Sequence, residues 1–173
     1  MKKVILTLAA ILCCASLFTS CNKDSGSGSD KPTNVTPVYV SMTVEIPASD
    51  DMLEYLNMSV SYEAGNEKNT ETVTAVTWSK TFQVKLPGSI NVKRTVTLKD
   101  GKTIPAEEPF SYASGYAVSW KFLDANSKEI RAGGMSGAKN TAKGVGSKVK
   151  ELVEKGKFDT SVNYSFDKDG NVL

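Results

Sequence analysis

Val38-Tyr39-Val40-Ser41-Met42-Thr43-Val44-Glu45-Ile46 is the segment that indicates most clearly how this chain folds. Apolar residues occupy every second position, and polar residues or tyrosine occupy the positions between them. Successive side chains of a β-strand point to opposite faces, so this alternation predicts a strand with one buried and one solvated face. Pro47 follows and is expected to end the strand, because proline has no N–H to donate to a neighbouring strand.

The same alternation recurs in later segments, which are residues 56–62, 82–86, 90–98, 110–122 and 158–166. Turn residues separate them, at Gly65-Asn66, Pro87-Gly88, Asp100-Gly101 and residues 124–127. We read Asp100-Gly101 as a tight hairpin turn. Six to eight strands predict an all-β fold, an antiparallel two-sheet β-sandwich of the immunoglobulin-like kind, with one short helix near the C-terminus.

Four local features add detail to this prediction. Arg94 falls on the apolar face of its strand, and Ser114-Gly115 is expected to form a bulge in the long strand that contains it. Residues 133–146 are rich in Gly, Ala, Lys and Ser, so we expect a long surface connection there. Ser147 as N-cap and Gly156 just past the end then bound the predicted helix.

Large aromatic side chains share one parity in residues 110–122. They are Phe110, Tyr112, Tyr116, Trp120 and Phe122. This row favours core packing, because each ring buries a large apolar area in a domain without disulfides, but a platform for stacking sugar rings is the alternative. Tyr39, on the polar parity of its strand, is the better candidate for an exposed aromatic contact.

The first residues have the composition of an export signal. Lys2 and Lys3 precede an apolar run at residues 4–18, and the run leads into Leu17-Phe18-Thr19-Ser20-Cys21. This order resembles the lipobox of bacterial lipoproteins. The resemblance implies that Cys21 becomes the first residue of the mature chain and carries the acyl groups, such as palmitate, that hold the protein to a membrane. Asn22, in place of Asp, implies sorting to the outer membrane, where the domain faces the periplasm or the cell surface.

Simple secretion and a membrane span are the alternatives to this anchor. The apolar run of fifteen residues is short of the roughly 20 that a spanning helix needs. We therefore predict a signal peptide at residues 1–20, a lipidated flexible tether at 21–37 and a single β-sandwich domain at 38–173. The tether contains Ser25-Gly26-Ser27-Gly28-Ser29, and a chain of this kind holds the domain roughly 20 Å from its lipid.

Cysteine and histidine usage limits the chemistry of the domain. Cys13 and Cys14 lie in the predicted signal peptide, Cys21 is the predicted lipidation site, and the sequence has no histidine. These absences exclude thiol nucleophiles, thiolate and imidazole metal sites, and catalysis by a Ser-His-Asp triad from the predicted mature chain. We expect no cofactor and no metal.

The charge of the predicted mature chain is balanced. The 21 Lys and Arg residues fall to 19 when Lys2 and Lys3 are removed, against 19 Asp and Glu. Residues 45–71 are nevertheless acidic and residues 131–157 basic, which indicates a solvated face, two segments that neutralise each other, or an anion-binding patch. A neutral, exported chain is not expected to bind nucleic acid.

Motifs that imitate catalytic or metal sites are weak. Glu107-Glu108 and Asp50-Asp51 are the paired carboxylates that a glycoside hydrolase would recruit, but neighbours on an extended strand point opposite ways. Residues 167–171 imitate the start of a calcium loop without its later Glu, and we expect a frayed turn there. The Gly and Lys residues of 133–148 lack the spacing of a phosphate-binding loop.

The sequence therefore predicts a lipid-anchored envelope protein that acts as a non-catalytic binding or adhesion module. Its expected partners are the membrane, through the anchor, and a glycan or an envelope protein. The alternatives are a carboxylate-based hydrolase accessory to glycan breakdown and a fimbria-like structural subunit that polymerises by strand exchange.

Overall fold

The computed structural model describes residues 35–173, and this part of the chain forms eight strands and two short helices. In chain order they are β1 (Tyr39–Pro47), α1 (Asp50–Tyr55), β2 (Leu56–Ala64), β3 (Glu67–Thr72), β4 (Thr77–Lys85), β5 (Gly88–Leu98), β6 (Pro109–Leu123), β7 (Glu129–Val145), α2 (Gly146–Glu154) and β8 (Thr160–Phe166). Sheet I has the order β4-β1-β6-β7 and sheet II the order β3-β2-β5-β8, with all pairs antiparallel. The predicted immunoglobulin-like sandwich with a short helix near its C-terminus is confirmed.

The alternation in β1 produces the core as predicted. Val40, Met42 and Val44 are fully buried, and β1 lies between β4 and β6 in the middle of sheet I. The strand ends at Pro47, as expected. The inward residues of β2, β5 and β8 meet these side chains from sheet II, so one apolar core lies between the two sheets.

Arg94 is the one polar or charged residue that is buried among residues 35–173. It is fully buried in β5, and its guanidinium donates to the carbonyls of Phe158 (2.9 Å) and Pro47 (2.8 Å) and to the Thr160 hydroxyl (3.1 Å). Burial lowers its pKa, which the charge of Asp159 partly opposes. Because Pro47 ends a strand of sheet I, Arg94 ties the two sheets together from inside the core.

The predicted surface connection at residues 133–146 is wrong, because most of it belongs to β7. This strand pairs with β6 at the edge of sheet I. Gly133, Gly134 and Gly137 are required by close approach: a Cβ on Gly134 would lie 2.7 Å from Cζ2 of Trp120. The small residues of β7 therefore make room for an aromatic ring, and they are the reason why the sequence shows no strand pattern there.

The bulge predicted at Ser114-Gly115 is not where the pairing breaks. β6 is continuous, and the register shifts between Ser119 and Lys121, where β7 carries the extra residue. Gly115 does need its glycine, since its φ is +80° and a Cβ there would collide with the carbonyl of Ala138.

The helices differ from the prediction at their starts. α1 was not expected, because six residues give too little periodicity; the Ser49 hydroxyl caps it by accepting from the Met52 N–H at 3.2 Å. α2 begins at Gly146 with Val145 at the N-cap, so Ser147 is not the cap. Carbonyls of the preceding loop, at Ala106 and Glu108, accept the N–H groups that a capping side chain would otherwise serve.

The end of α2 is as predicted. Gly156 has φ +63° and donates to the carbonyl of Val153, while Lys157 donates to that of Leu152, both at 2.9 Å. This is the Schellman arrangement that favours glycine. Neither helix of the described region has the length and apolar character needed to cross a bilayer.

Asp100-Gly101 is a turn, closed by Lys102 N–H donating to the Lys99 carbonyl at 3.1 Å, but it is not a hairpin turn. β5 and β6 belong to different sheets, so the chain crosses the sandwich here. Gly65-Asn66 does join a hairpin, β2 to β3, as does the turn at residues 124–127, which joins β6 to β7.

Candidate functional site

The predicted lipidation site, Cys21, lies outside the described residues, as do the predicted signal peptide and most of the tether. The carboxylate pairs lie within them. Glu107 and Glu108 are exposed in the turn before β6, and the Glu108 carbonyl accepts from Gly146 at the start of α2. Asp51 accepts from the backbone N–H of Ser111 at 2.6 Å and so positions α1 against β6. One member of each pair therefore makes a structural contact, through the Glu108 carbonyl and the Asp51 carboxylate.

The turn at residues 167–171 is hydrogen-bonded rather than frayed. The Asp167 carboxylate accepts from the backbone N–H groups of Asp169 and Asn171, both at 2.8 Å, and from the Asn171 amide at 2.7 Å. The Asn171 side chain, followed by these backbone donors, lowers the pKa of Asp167. Val172 then pairs with Phe166. Within residues 35–173 no cluster of three or more His, Cys, Asp or Glu residues could hold a metal ion.

The aromatic row of β6 belongs to the core. Phe110 and Phe122 are buried, and Tyr112, Tyr116 and Trp120 are half-buried against the core. The rings contact aromatic side chains from beyond their own sheet: Tyr112 lies 5.3 Å from Phe158 and Trp120 lies 5.3 Å from Tyr164, between ring centroids. Tyr39 is half-buried on the outer side of β1.

The acidic and basic segments neutralise each other and themselves. Lys139 pairs with Glu45 and so joins the two segments directly. Within the basic segment, Lys148 and Lys155 both donate to Glu151, which lowers the pKa of that carboxylate to about 2. Four of the six lysines of the basic segment, Lys139, Lys148, Lys150 and Lys155, are thus in ion pairs.

A polar cluster that the sequence did not reveal closes the gap between β3 and β4. The Glu71 carboxylate accepts from the Tyr62 hydroxyl (2.8 Å), the Trp78 indole N–H (2.8 Å) and the Lys80 ammonium (2.9 Å). Lys80 also donates to the Tyr62 hydroxyl and lies 3.1 Å from Glu67. These hydrogen bonds, first that from Lys80, lower the pKa of Glu71 to about 2, and the Tyr62 hydroxyl followed by Glu71 raises that of Lys80. The cluster therefore connects β3 of sheet II to β4 of sheet I.

The outer side of sheet II presents a different arrangement, which we call the polar face. Strand register sets eight outward side chains in two straight rows of four. One row is Thr70, Ser61, Lys93 and Ser161; the other is Lys68, Glu63, Asn91 and Asn163. Neighbouring strands lie about 4.8 Å apart, so each row spans about 14 Å. These side chains line a shallow groove of about 490 Å³.

Most side chains of this face have no hydrogen-bond or ion-pair partner among the described residues. Glu63 pairs with Lys68 at 3.5 Å, and Ser61 donates to the Lys93 carbonyl at 3.4 Å. The side-chain amides of Asn91 and Asn163 have no hydrogen-bond partner among the described residues. On the outer side of sheet I, by contrast, Thr43 and Thr81 bond each other at 2.8 Å, and the charged residue of the next row, Glu45, is paired.

The polar face therefore offers hydroxyl, amide, ammonium and carboxylate groups on a rigid sheet, with no aromatic or aliphatic side chain among the eight. Amides both donate and accept hydrogen bonds, and so do hydroxyls, which suits a ligand rich in hydroxyl groups. The rows join residues from four strands, and sequence reasoning missed them because it did not set the register between strands. No protein-family model, curated protein or solved structure matches this chain.

Proposed function

We propose that this protein is a lipid-anchored, non-catalytic module of the cell envelope that binds a glycan through its polar face. The observation that carries the proposal is the pair of polar rows on sheet II, with unpartnered amides at Asn91 and Asn163 among the described residues. A sugar chain offers the complementary donors and acceptors. A protein partner is less well matched, because the centres of protein interfaces are enriched in aromatic and apolar side chains, which this face lacks.

Glycan binding is tested with the full chain carrying Cys21→Ala, applied to an array of neutral and acidic polysaccharides. Asn91→Ala and Asn163→Ala are expected to weaken binding about three- to tenfold each, since each removes hydrogen bonds to the ligand. Asn140→Ala is the matched control, because Asn140 is exposed on β7 in the other sheet. No binding to any polysaccharide, or equal losses in all three variants, would refute the proposal.

We propose the anchor from the residues around Cys21, and with Asn22 it implies the outer membrane as the location, facing the periplasm or the cell surface. Cells fed labelled palmitate should incorporate the label into the wild-type chain and not into the Cys21→Ala variant, which should leave the membrane fraction. Label retained by the variant would show that the acyl group is attached to another residue or that the labelled species is a different protein.

A second candidate, the structural subunit that polymerises by strand exchange, is favoured by β7. Its seventeen residues form an edge of sheet I whose outer side has no strand partner among residues 35–173. Such an edge accepts an added strand readily. Native membranes would then yield ladders of regularly increasing mass, whereas a single monomer band after mild extraction argues for the binding module.

A further inference from the structure

Lys93 stands near the centre of the polar face. It lies on β5, an inner strand of sheet II, directly between Ser61 on β2 and Ser161 on β8. Asn91 lies two positions before Lys93 on the same strand and pairs with Asn163. An ammonium group with three N–H donors is thus surrounded by hydroxyls and amides rather than by apolar side chains.

The charge of Lys93 is not cancelled on its own face. Glu63 is the one carboxylate among the eight side chains, and it pairs with Lys68 on the neighbouring strand at 3.5 Å. Within the described part of the chain, no carboxylate lies within ion-pair distance of Lys93. The face therefore carries two ammonium groups against one carboxylate, and the uncompensated charge lies in the middle of the groove.

We propose that the ligand of the polar face is an acidic glycan whose carboxylate pairs with Lys93 while its hydroxyls bond Asn91 and Asn163. This inference rests on the proposed function, to which it adds the chemical class of the ligand. A carboxylate is the acceptor that an unpaired ammonium prefers, and a charge-assisted hydrogen bond is stronger than a neutral one. The Ser61 and Ser161 hydroxyls beside Lys93, and the Asn91 and Asn163 amides in the adjacent row, can hydrogen-bond the hydroxyl groups of a uronic acid chain.

The test compares each acidic polysaccharide with the same polysaccharide after its carboxylates have been esterified. Polygalacturonate and alginate serve as probes, each as the free acid and as the alkyl ester, together with neutral dextran. The full chain with Cys21→Ala is titrated with each at low and at high salt. We expect about fivefold or greater preference for at least one free acid over its ester, lost at high salt because an exposed charge pair is screened.

Variants assign the preference to Lys93. Lys93→Gln is expected to bind acid and ester equally, at the level that the wild-type chain shows for the ester, and Lys93→Arg to retain the preference. Lys85→Gln is the matched control, since Lys85 is exposed at the end of β4 in sheet I. A preference that survives Lys93→Gln overturns the assignment.

The two proposals fail in different ways. Equal binding of acid and ester, or binding of dextran alone, overturns the acidic ligand and leaves glycan binding in place. No binding of any probe, with the array also negative, overturns both.

Discussion

The carboxylate of Glu71 accepts hydrogen bonds from three side chains on two strands: Tyr62 on the neighbouring β2, and Trp78 and Lys80 on β4 of the other sheet. Glu71→Gln removes the charge that Lys80 pairs with and gives Tyr62 and Trp78 a poorer acceptor. We expect a loss of about 1 to 2 kcal/mol in the free energy of unfolding by urea, since partial exposure of Glu71 lets solvent screen the pair.

Glu129→Gln is the control for this variant. Glu129 pairs with Lys121 at 3.2 Å, and both side chains are half exposed, so the change is expected to cost less than about 0.5 kcal/mol. Equal effects of the two variants would show that the polar cluster contributes no more than an ordinary surface ion pair.

The pH dependence of stability follows from the same residue. The pKa of Glu71 falls from 4.5 to about 2 on folding, so the folded state holds the charged form more strongly. This contribution is present above about pH 4.5 and is lost as the pH falls toward 2. The difference in unfolding free energy between wild type and Glu71→Gln should therefore shrink across this interval. Urea unfolding at several pH values measures it, and a difference that stays constant contradicts the assignment.

At the scale of elements, β7 and Trp120 depend on each other. Gly134→Ala places a methyl group within 3 Å of the Trp120 ring and is expected to destabilise the protein by about 1 to 3 kcal/mol, with a change in tryptophan fluorescence. Ser136→Ala, at an exposed position of the same strand, should fall within about 0.5 kcal/mol of wild type. A Gly134→Ala variant as stable as wild type would show that β7 does not pack against the Trp120 indole.

The alternation of polar and apolar residues was enough to predict β1, β2, β5, β6 and β8, because each has one face in the core. It also predicted Arg94 on an apolar face. The alternation did not predict most of β7, because the residue types of this strand are set by contact with Trp120 and not by burial of their own side chains. It failed at α1, which is held by Asp51 and Ser49 contacting β6.

The polar face marks the limit of sequence reasoning for the site. Each strand showed outward Ser, Asn or Lys residues, yet only the register across four strands brings Asn91 beside Asn163 and Lys93 beside Ser161. That register depends on how β8, which is 66 residues from β5 in sequence at the closest pair, Arg94 and Thr160, docks at the end of the sheet. Long-range pairing of this kind leaves no local signal in the sequence.

At the scale of the whole molecule, the proposed lipid at Cys21 and the proposed glycan-binding face lie on different parts of the chain. The two proposed functions should be separable, because Cys21 precedes the described residues while the polar face lies on sheet II. Cys21→Ala should release the protein from membranes with its binding intact. The double variant Asn91→Ala/Asn163→Ala should remain in membranes at the wild-type amount.

The most direct test measures how much labelled acidic polysaccharide, polygalacturonate or alginate, sediments with membranes from cells that make each variant. We expect wild-type membranes to retain the polysaccharide. Membranes of the double variant, which still contain the protein, and membranes of Cys21→Ala cells, which do not, should retain only background amounts. If wild-type membranes contain the protein but retain no more polysaccharide than those of the double variant, binding of an acidic glycan by the polar face is contradicted.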